Sequence, residues 1–277
     1  MTEAPTDPPS RTTGFRGAIF DVDGVLVDSP HEAAWRQALH ELMDGDWSGI
    51  RDATTWSPEG FTAQVYQQVL SGKPRRNGAR AALEYFHVPD AAERTATYAE
   101  HKQQLLVRMI DARAFEAYPD GVRFVLAVRA AGIPIAAASS SKNADRFLRG
   151  IALDEFGLDE FGKAPGAALH GPPPGATLLD VFDANLSGRD FAHGKPDPEI
   201  FLTAAAELGV SPGSCFVVED AVSGILAAKS GGMAALGVAR SDDAEALAAA
   251  RADLVVTSLD DVDPARLRHG ELAARGD

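Results

Sequence analysis

The sequence predicts an α/β protein in which a doubly wound, Rossmann-like parallel sheet carries an inserted all-helical domain. A short apolar run, Ala18–Phe20, is typical of a buried strand. From Phe115 onward helical and strand-like segments alternate, which indicates a parallel sheet covered on both faces. Between residues 30 and 114 the apolar spacing is helical instead. The insertion therefore follows the first strand of the sheet.

The inserted segment 30–114 is predicted to form a helical cap. Its helical patterns fall at 32–39, 62–70, 79–86 and 91–114. After it, the helix 121–131 ends at Gly132, and the apolar run 133–138 follows as the second strand of the core. The remaining elements alternate in the same way, with helices at 199–208, 221–229 and 243–250 and strands at 216–218, 233–238 and 253–256.

The domain limits follow from these patterns. The core is assigned to 14–29 and 115–263, with the cap between its two parts. Residues 1–13 are polar and proline-rich and are expected to be a disordered tail, whereas the charged end 264–277 is expected to fray. Within the core, 154–179 is rich in glycine and proline and is interpreted as an irregular insertion.

Composition limits the possible partners. The chain has 277 residues, with 40 acidic against 26 basic residues and a formal net charge of −14, so it should repel nucleic acid and anionic membranes. No apolar run is long enough to span a membrane, and nothing resembles a signal peptide. The single cysteine, Cys215, excludes an internal disulfide. We expect a cytoplasmic protein that acts on a small molecule, as a monomer or weak homo-oligomer.

Two carboxylates follow the first strand. Asp21 and Asp23 are two residues apart, so an extended backbone directs both side chains to the same side. Two like charges this close favour either a bound Mg²⁺ or one carboxyl with a raised pKa beside an ionised one. The alternative is a strand end with two solvated acids.

Other polar groups follow later strands. The second strand leads into Ser139-Ser140-Ser141-Lys142-Asn143, another ends in Glu219-Asp220, and Lys195 lies in a loop with two prolines. Ligands of open parallel sheets bind outside the carboxyl ends of the strands. A hydroxyl, a lysine, acids able to hold a metal and a separate nucleophilic carboxylate suit phosphoryl transfer, because the transferred oxygens need positive charge and donors.

These motifs, in this order and spacing, resemble the haloacid dehalogenase superfamily of phosphotransferases. The resemblance covers the whole core and implies a phosphoaspartyl mechanism. Asp21 would be the nucleophile, and Asp23 the general acid and then base. Ser139 and Lys195 would hold the phosphoryl oxygens. Mg²⁺ would be held by a set of four acids: Asp21, Asp23 (through its backbone carbonyl), Glu219 and Asp220.

A second anion site would separate a phosphomutase from a phosphatase. The cap contains the basic turn Leu70-Ser71-Gly72-Lys73-Pro74-Arg75-Arg76, and Ser141-Lys142-Asn143 follows Ser139 in the core. Both features resemble the β-phosphoglucomutase subgroup. That resemblance implies that Arg75, Ser141, Lys142 and Asn143 bind substrate, Lys102 is a further cap lysine and His31 a hinge histidine linked to Asp23. The linker before Trp35 is shorter than that subgroup's, and the insertion 154–179 is foreign to it.

The sequence therefore predicts a Mg²⁺-dependent phosphotransferase acting on a phosphorylated sugar. The first hypothesis is a mutase of the β-phosphoglucomutase type, which converts β-glucose 1-phosphate to glucose 6-phosphate. The alternative is a sugar-phosphate phosphatase. A non-enzymatic phospho-receiver module also gathers acids, a hydroxyl and a lysine, but such modules have no inserted helical domain of this size.

Overall fold

The computed structural model describes residues 14–70, 73–156 and 173–276. Within these residues the chain separates into two compact units. The core unit comprises the described residues up to Leu26 and from Ala117 onward, and the helical unit is Val27–Glu116. The expected tail 1–13 and the middle of the insertion, 157–172, lie outside the described residues.

The core unit is built on a six-stranded sheet whose neighbouring strands all run parallel. Two further short strands pair with each other, β2 and β3. In chain order the strands are β1 Gly17–Phe20, β2 Val27–Asp28, β3 Glu116–Ala117, β4 Ile135–Ala137, β5 Ala184–Asn185, β6 Cys215–Glu219, β7 Ala234–Val238 and β8 Leu254–Val256. The sheet order β5-β4-β1-β6-β7-β8 and the surrounding helices confirm the doubly wound α/β fold.

The helices agree with the patterns in most places. They are α1 His31–Asp44, α2 Ala63–Val65, α3 Arg75–Tyr85, α4 Ala91–Asp111, α5 Pro119–Ala130, α6 Ala144–Gly150, α7 Glu199–Glu207, α8 Val222–Ser230, α9 Ala244–Ala249 and α10 Pro264–Leu267. The π-helix Tyr66–Leu70 continues directly from α2, so together they occupy the predicted segment 62–70. The patterns did not predict α6 or the strands β2, β3 and β5, and these strands have two residues each, too few to show alternation.

Two segments expected to be irregular carry local structure. Residues 264–276 include α10, which begins at Pro264 with the Asp263 side chain accepting from the Ala265 N–H, and whose Leu267 is buried. At the end of the insertion, Thr177 and Asp180 form a capping box around a 3₁₀ turn. These local hydrogen bonds order segments that lack apolar periodicity.

The helical unit has its own apolar core. Tyr98 is fully buried, its hydroxyl donates to the backbone carbonyl of Trp35 at 2.9 Å, and the two rings meet edge to face at 5.0 Å. This contact joins α4 to α1, and Phe61 and Leu83 complete the same cluster. None of the helices in the described part of the chain combines the length and apolar character that crossing a bilayer requires.

Candidate active site

The strand order brings three of the predicted site residues to one end of the sheet. β1 lies between β4 and β6, with Phe20 in register with Ala137 on one side and Val218 on the other. Asp21 follows Phe20 directly, Ser139 follows β4, and Glu219 is the last residue of β6. Because successive strands are added on opposite sides of β1, this is the switch point where open α/β sheets bind ligands.

Lys195 links the two acids of this group. Its Nζ donates to Asp21 Oδ1 at 2.6 Å and also to Glu219 Oε1. The Lys195 side chain is 10% exposed, and Asp21 and Glu219 are both buried. The lysine therefore joins the ends of β1 and β6 through charge-assisted hydrogen bonds in a setting where water screens them little.

The loop that presents Lys195 is held by two residues that the sequence did not single out. The Glu199 carboxylate accepts hydrogen bonds from the backbone N–H groups of Ala192, at 3.2 Å, and His193, at 2.8 Å. The ring of the fully buried Phe201 lies 4.9 Å from Lys195 Nζ. Both residues belong to α7, and their spacing from Lys195 gave no signal of these contacts.

Asp23 and Ser139 meet on the other side of Asp21. The Ser139 hydroxyl donates to Asp23 Oδ2 at 3.4 Å and accepts from the Ser141 N–H at 3.1 Å. Ser139 is 3% exposed. A buried hydroxyl can rotate its single proton away from Asp23 and donate to an oxygen of a bound group instead.

Two glycines make room for the acids that end β6. Gly24 has φ +82°, and a Cβ at this position would collide with the Asp220 carboxylate. A Cβ at Gly224 would collide with the Glu219 carboxyl group in the same way. The acids are thus packed against backbone, and the Gly24 backbone lies beside Asp220.

Three of the four acids have raised pKa values. Burial raises the pKa of Asp21, and the neighbouring Asp23 charge adds to this, although Lys195 opposes it. Burial likewise raises the pKa of Glu219. Burial, with the negative charges of Glu219 and Asp21, raises the pKa of Asp220 well above its ordinary value. Although burial alone would lower the pKa of Lys195, its two acidic partners raise it instead.

This electrostatic balance fits a cation. Asp21, Asp23, Glu219 and Asp220 carry four carboxyl groups against the single ammonium of Lys195. Burial is the main cause of the raised pKa values of Asp21, Glu219 and Asp220, and a divalent cation would relieve the repulsion that adds to it. Among the described residues, however, the one set of three ligating groups within 4.8 Å of one another is His193, Asp197 and Glu199. The four acids are less tightly gathered, and Lys195 occupies the space between Asp21 and Glu219.

The turn after Ser139 contains the predicted substrate-binding triplet. Ser141 Oγ accepts from the Asn143 N–H at 3.3 Å, and Asn143 is 5% exposed. Lys142 Nζ donates to Asp190 Oδ1 at 2.5 Å and to the Gly188 carbonyl at 2.9 Å. The ammonium of Lys142 is thus already paired, whereas Ser141 and Asn143 order the turn.

In the helical unit, the predicted residues Lys102 and His31 contact each other, whereas Arg75 is exposed. Lys102 is 2% exposed, and its Nζ lies 2.8 Å from His31 Nδ1 and 5.0 Å from the centre of the Trp35 ring. Burial, and then the Lys102 charge, lowers the pKa of His31 to about 3, so the ring is neutral and accepts from the ammonium. Arg75 is exposed and opens α3.

Comparison with known proteins gives one family, with a phosphatase as well as mutases among the similar proteins. The family model for haloacid dehalogenase-like hydrolases matches residues 15–232. The β-phosphoglucomutase of Bacillus subtilis (strain 168) is 32% identical over 258 residues, covering 90% of this chain and 92% of that protein. The validoxylamine A 7'-phosphate phosphatase of Streptomyces hygroscopicus subsp. limoneus is 28% identical over 248 residues, covering 90% and 96%. The crystal structure of the β-phosphoglucomutase from Pyrococcus sp. strain ST04 matches with a TM-score of 0.64 and 29% identity, covering 92% of this chain and 99% of that one.

Proposed function

Since the chain belongs to the haloacid dehalogenase-like hydrolase family, we propose that it transfers phosphoryl groups of sugar phosphates through a phosphorylated Asp21. The observation that carries this proposal is the buried Asp21–Lys195–Glu219 arrangement at the switch point of the sheet. One oxygen of Asp21 is held by Lys195, which leaves the other oxygen for attack on phosphorus. A carboxylate held on one side by a fixed cation is a well-oriented nucleophile.

The transfer has two balanced halves. In the first, an Asp21 oxygen forms a bond to phosphorus while the bond from phosphorus to the sugar oxygen breaks, and Asp23 gives its proton to that oxygen. In the second, a hydroxyl attacks the phosphoaspartate, Asp23 takes its proton, and the Asp21 carboxylate leaves. Ser139 and Lys195 donate to the phosphoryl oxygens in both halves. The hydrogen bond between Ser139 and Asp23 supports these roles, because it keeps the phosphoryl-binding hydroxyl next to the general acid and base.

We further propose that the acids of this site hold Mg²⁺. Asp21, Glu219 and Asp220 would provide carboxylate oxygens and Asp23 its backbone carbonyl, which are the hard oxygen ligands that Mg²⁺ prefers. When bound, the ion would offset the charge that develops on the phosphoryl oxygens. Its binding would also lower the raised pKa values of the buried carboxyls and keep Asp21 ionised.

Of the two reactions, we favour the mutase of the β-phosphoglucomutase type. A mutase that passes through a bisphosphate needs a second anion site, and Arg75 is a candidate for it. Among the described residues none forms a salt bridge with Arg75, and the residue lies at the N-terminus of an 11-residue helix, where backbone N–H groups attract anions. The identity with the Bacillus mutase over most of both chains supports the same choice.

The phosphatase remains the second candidate. It is favoured by the Streptomyces phosphatase, of which this chain covers 96% at 28% identity. The pairing of Lys142 with Asp190 also removes one of the cations that the second anion site was expected to use. The two reactions share the first half and differ in the acceptor, which is a sugar hydroxyl in the mutase and water in the phosphatase.

Phosphorus NMR separates the two reactions. The protein is incubated with Mg²⁺, β-glucose 1-phosphate and a trace of the 1,6-bisphosphate. We expect glucose 6-phosphate to accumulate without free phosphate, because the phosphoryl group passes between sugar hydroxyls. Stoichiometric release of free phosphate would instead assign the protein as a phosphatase.

The Arg75→Ala variant tests the second anion site in the same assay. Loss of the guanidinium should lower mutase turnover roughly tenfold, the cost of one charge-assisted hydrogen bond to phosphate. Arg80→Ala is the matched control, since Arg80 lies on the same helix and pairs with Glu84. Equal rates for Arg75→Ala and the parent would contradict this role for Arg75.

A further inference from the structure

Arg240 contacts the turn that follows Asp23. It lies two residues beyond β7, and its Nε donates to the Gly24 carbonyl at 3.1 Å while its Nη2 donates to the Val25 carbonyl at 3.0 Å. The guanidinium thus binds two successive peptide groups immediately after Asp23. The planar fork of arginine can do this with fixed geometry, whereas lysine has no such fork.

The same guanidinium is itself held from the other side. Its Nη1 donates to Asp120 Oδ2 at 2.8 Å, and its Cζ lies 3.9 Å from the centre of the Tyr118 ring. Asp120 is 7% exposed and also accepts from the Leu259 N–H at 2.8 Å. The Arg240 side chain is therefore fixed by a buried carboxylate and an aromatic face before it reaches the turn.

We propose that Arg240 is a positioning residue that holds Asp23 in its general acid and base geometry. This inference rests on the proposed function, in which Asp23 moves the proton of the sugar oxygen. Arg240 does not touch Asp23 itself and acts through the backbone of Gly24 and Val25. Because the Gly24 backbone lies against the Asp220 carboxylate, the same contacts set the distance between the Asp23 turn and β6.

The physical reason is the sensitivity of proton transfer to position. General acid catalysis requires the acid within hydrogen-bond distance of the leaving oxygen, and a displacement of about 1 Å is enough to lose much of its effect. Gly24 has a positive φ, so this turn gains conformational freedom when its carbonyl bonds are removed. Loss of the Arg240 contacts should therefore leave Asp21 unaffected and misplace Asp23.

The test compares two phosphate esters that differ in their need for a general acid. A sugar phosphate has a poor leaving group that must be protonated, whereas p-nitrophenyl phosphate releases a stabilised phenolate. We expect Arg240→Met to lower kcat/KM for the sugar phosphate about thirtyfold, mainly in kcat, and for p-nitrophenyl phosphate less than threefold. Arg240→Lys should recover part of the loss, since it retains the charge next to Asp120.

Two further variants calibrate the comparison. Asp23→Asn should show the same selective loss in a stronger form, because it removes the general acid itself. Arg268→Met is the matched control, since Arg268 also donates to two successive backbone carbonyls, those of Ala130 and Ala131, and these hydrogen bonds of the described chain lie outside the site. It should retain the parent rates on both esters. Thermal unfolding of each variant establishes that it is folded, and Arg240→Lys carries the test should Arg240→Met fail to fold.

Equal losses on the two esters in the Arg240 variants, with a selective loss in Asp23→Asn, would overturn the inference and leave the proposed function intact. A parent protein that is inactive on every phosphate ester would instead contradict the proposed function. A selective loss in both Asp23→Asn and Arg240→Met, with Arg268→Met unchanged, would support the inference.

Discussion

The two units each bury a lysine, and the two lysines are held in opposite ways. In the core unit, Lys195 lies between the carboxylates of Asp21 and Glu219. In the helical unit, Lys102 lies beside the neutral ring of His31 and the face of Trp35. Lys195 carries one positive charge between two carboxylates, which leaves a net negative site suited to a further cation. The second lysine is next to a base that burial keeps uncharged.

Burial alone therefore does not specify the role of a lysine. Lys195 binds acids at the ends of two neighbouring strands of the sheet. Along the chain, Asp21 is 174 residues from Lys195 and Glu219 is 24 residues from it. Lys102 joins two helices of one bundle, α1 and α4. The contacts of Lys195 are with carboxylates, whereas the contact between Lys102 and His31 is with a ring that stays neutral. Variants of each should therefore respond differently.

Asp21→Asn should have the largest effect in either unit. Asparagine has nearly the same shape but a poor nucleophile in place of the carboxylate, so turnover should fall more than about a thousandfold, or ~4 kcal/mol of activation free energy. The change is measured as kcat on the sugar phosphate, with the unfolding midpoint as the folding check. Asp183→Asn is the control, since Asp183 is also an acid at a strand end, where it accepts from the Ile135 N–H. Residual activity above a hundredth of the parent would contradict nucleophilic catalysis by Asp21.

Replacing each lysine by methionine compares the two units directly. Lys195→Met leaves Asp21 and Glu219 facing each other without their cation, and we expect the free energy of unfolding to fall by roughly 3 kcal/mol. Lys102→Met removes the donor that faces the neutral His31 ring, and we expect a fall of about 1 kcal/mol. Denaturant unfolding at neutral pH in the presence of a chelator measures both. A loss for Lys102→Met that equals or exceeds the loss for Lys195→Met would refute the distinction.

His31 should give the smallest effect, seen as a pH dependence. Its pKa is about 3 in the folded chain because burial and the Lys102 charge oppose protonation, whereas the pKa of a solvated histidine is 6.5. Between these values the unfolded chain binds a proton that the folded chain does not. The free energy of unfolding therefore keeps its full His31 contribution above pH 6.5. It falls by about 1.4 kcal/mol per pH unit as the pH drops from 6.5 toward 3.

The measurement is the free energy of unfolding of the parent and of His31→Gln at several pH values between about 5 and 6.5. The variant should lose less stability on acidification than the parent, so that the two curves converge. His269→Gln, at an exposed position, should follow the parent. Parallel curves for the parent and His31→Gln would show that His31 is not held neutral by the fold.

The sequence was most informative where a motif coincides with a strand end. Asp21, Ser139 and Glu219 could be assigned to one edge because parallel strands direct their carboxyl ends the same way. Lys195 could be added through the resemblance, and in the structure it donates hydrogen bonds to Asp21 and Glu219. The fold class was predictable for the same reason, since alternating helices and strands leave few topologies.

The parts that escaped prediction depend on contacts distant in sequence. Arg240 bonds to Gly24, 216 residues away, and Phe201 packs under Lys195 without any motif that links them. β5 has two residues, too few for periodicity. The pairing of Lys142 with Asp190 also needed the tertiary structure, because an isolated lysine in a polar turn gives no indication of its partner.

The most direct measurement is chemical trapping of the phosphorylated residue. The protein is mixed with the sugar phosphate and Mg²⁺, quenched in acid during turnover and treated with borohydride, which reduces an aspartyl phosphate to homoserine, before peptide mass spectrometry. We expect homoserine at position 21 in the parent and none in Asp21→Asn. An unmodified residue 21 in a protein that is turning over, or homoserine at position 23, 219 or 220 instead, would contradict it.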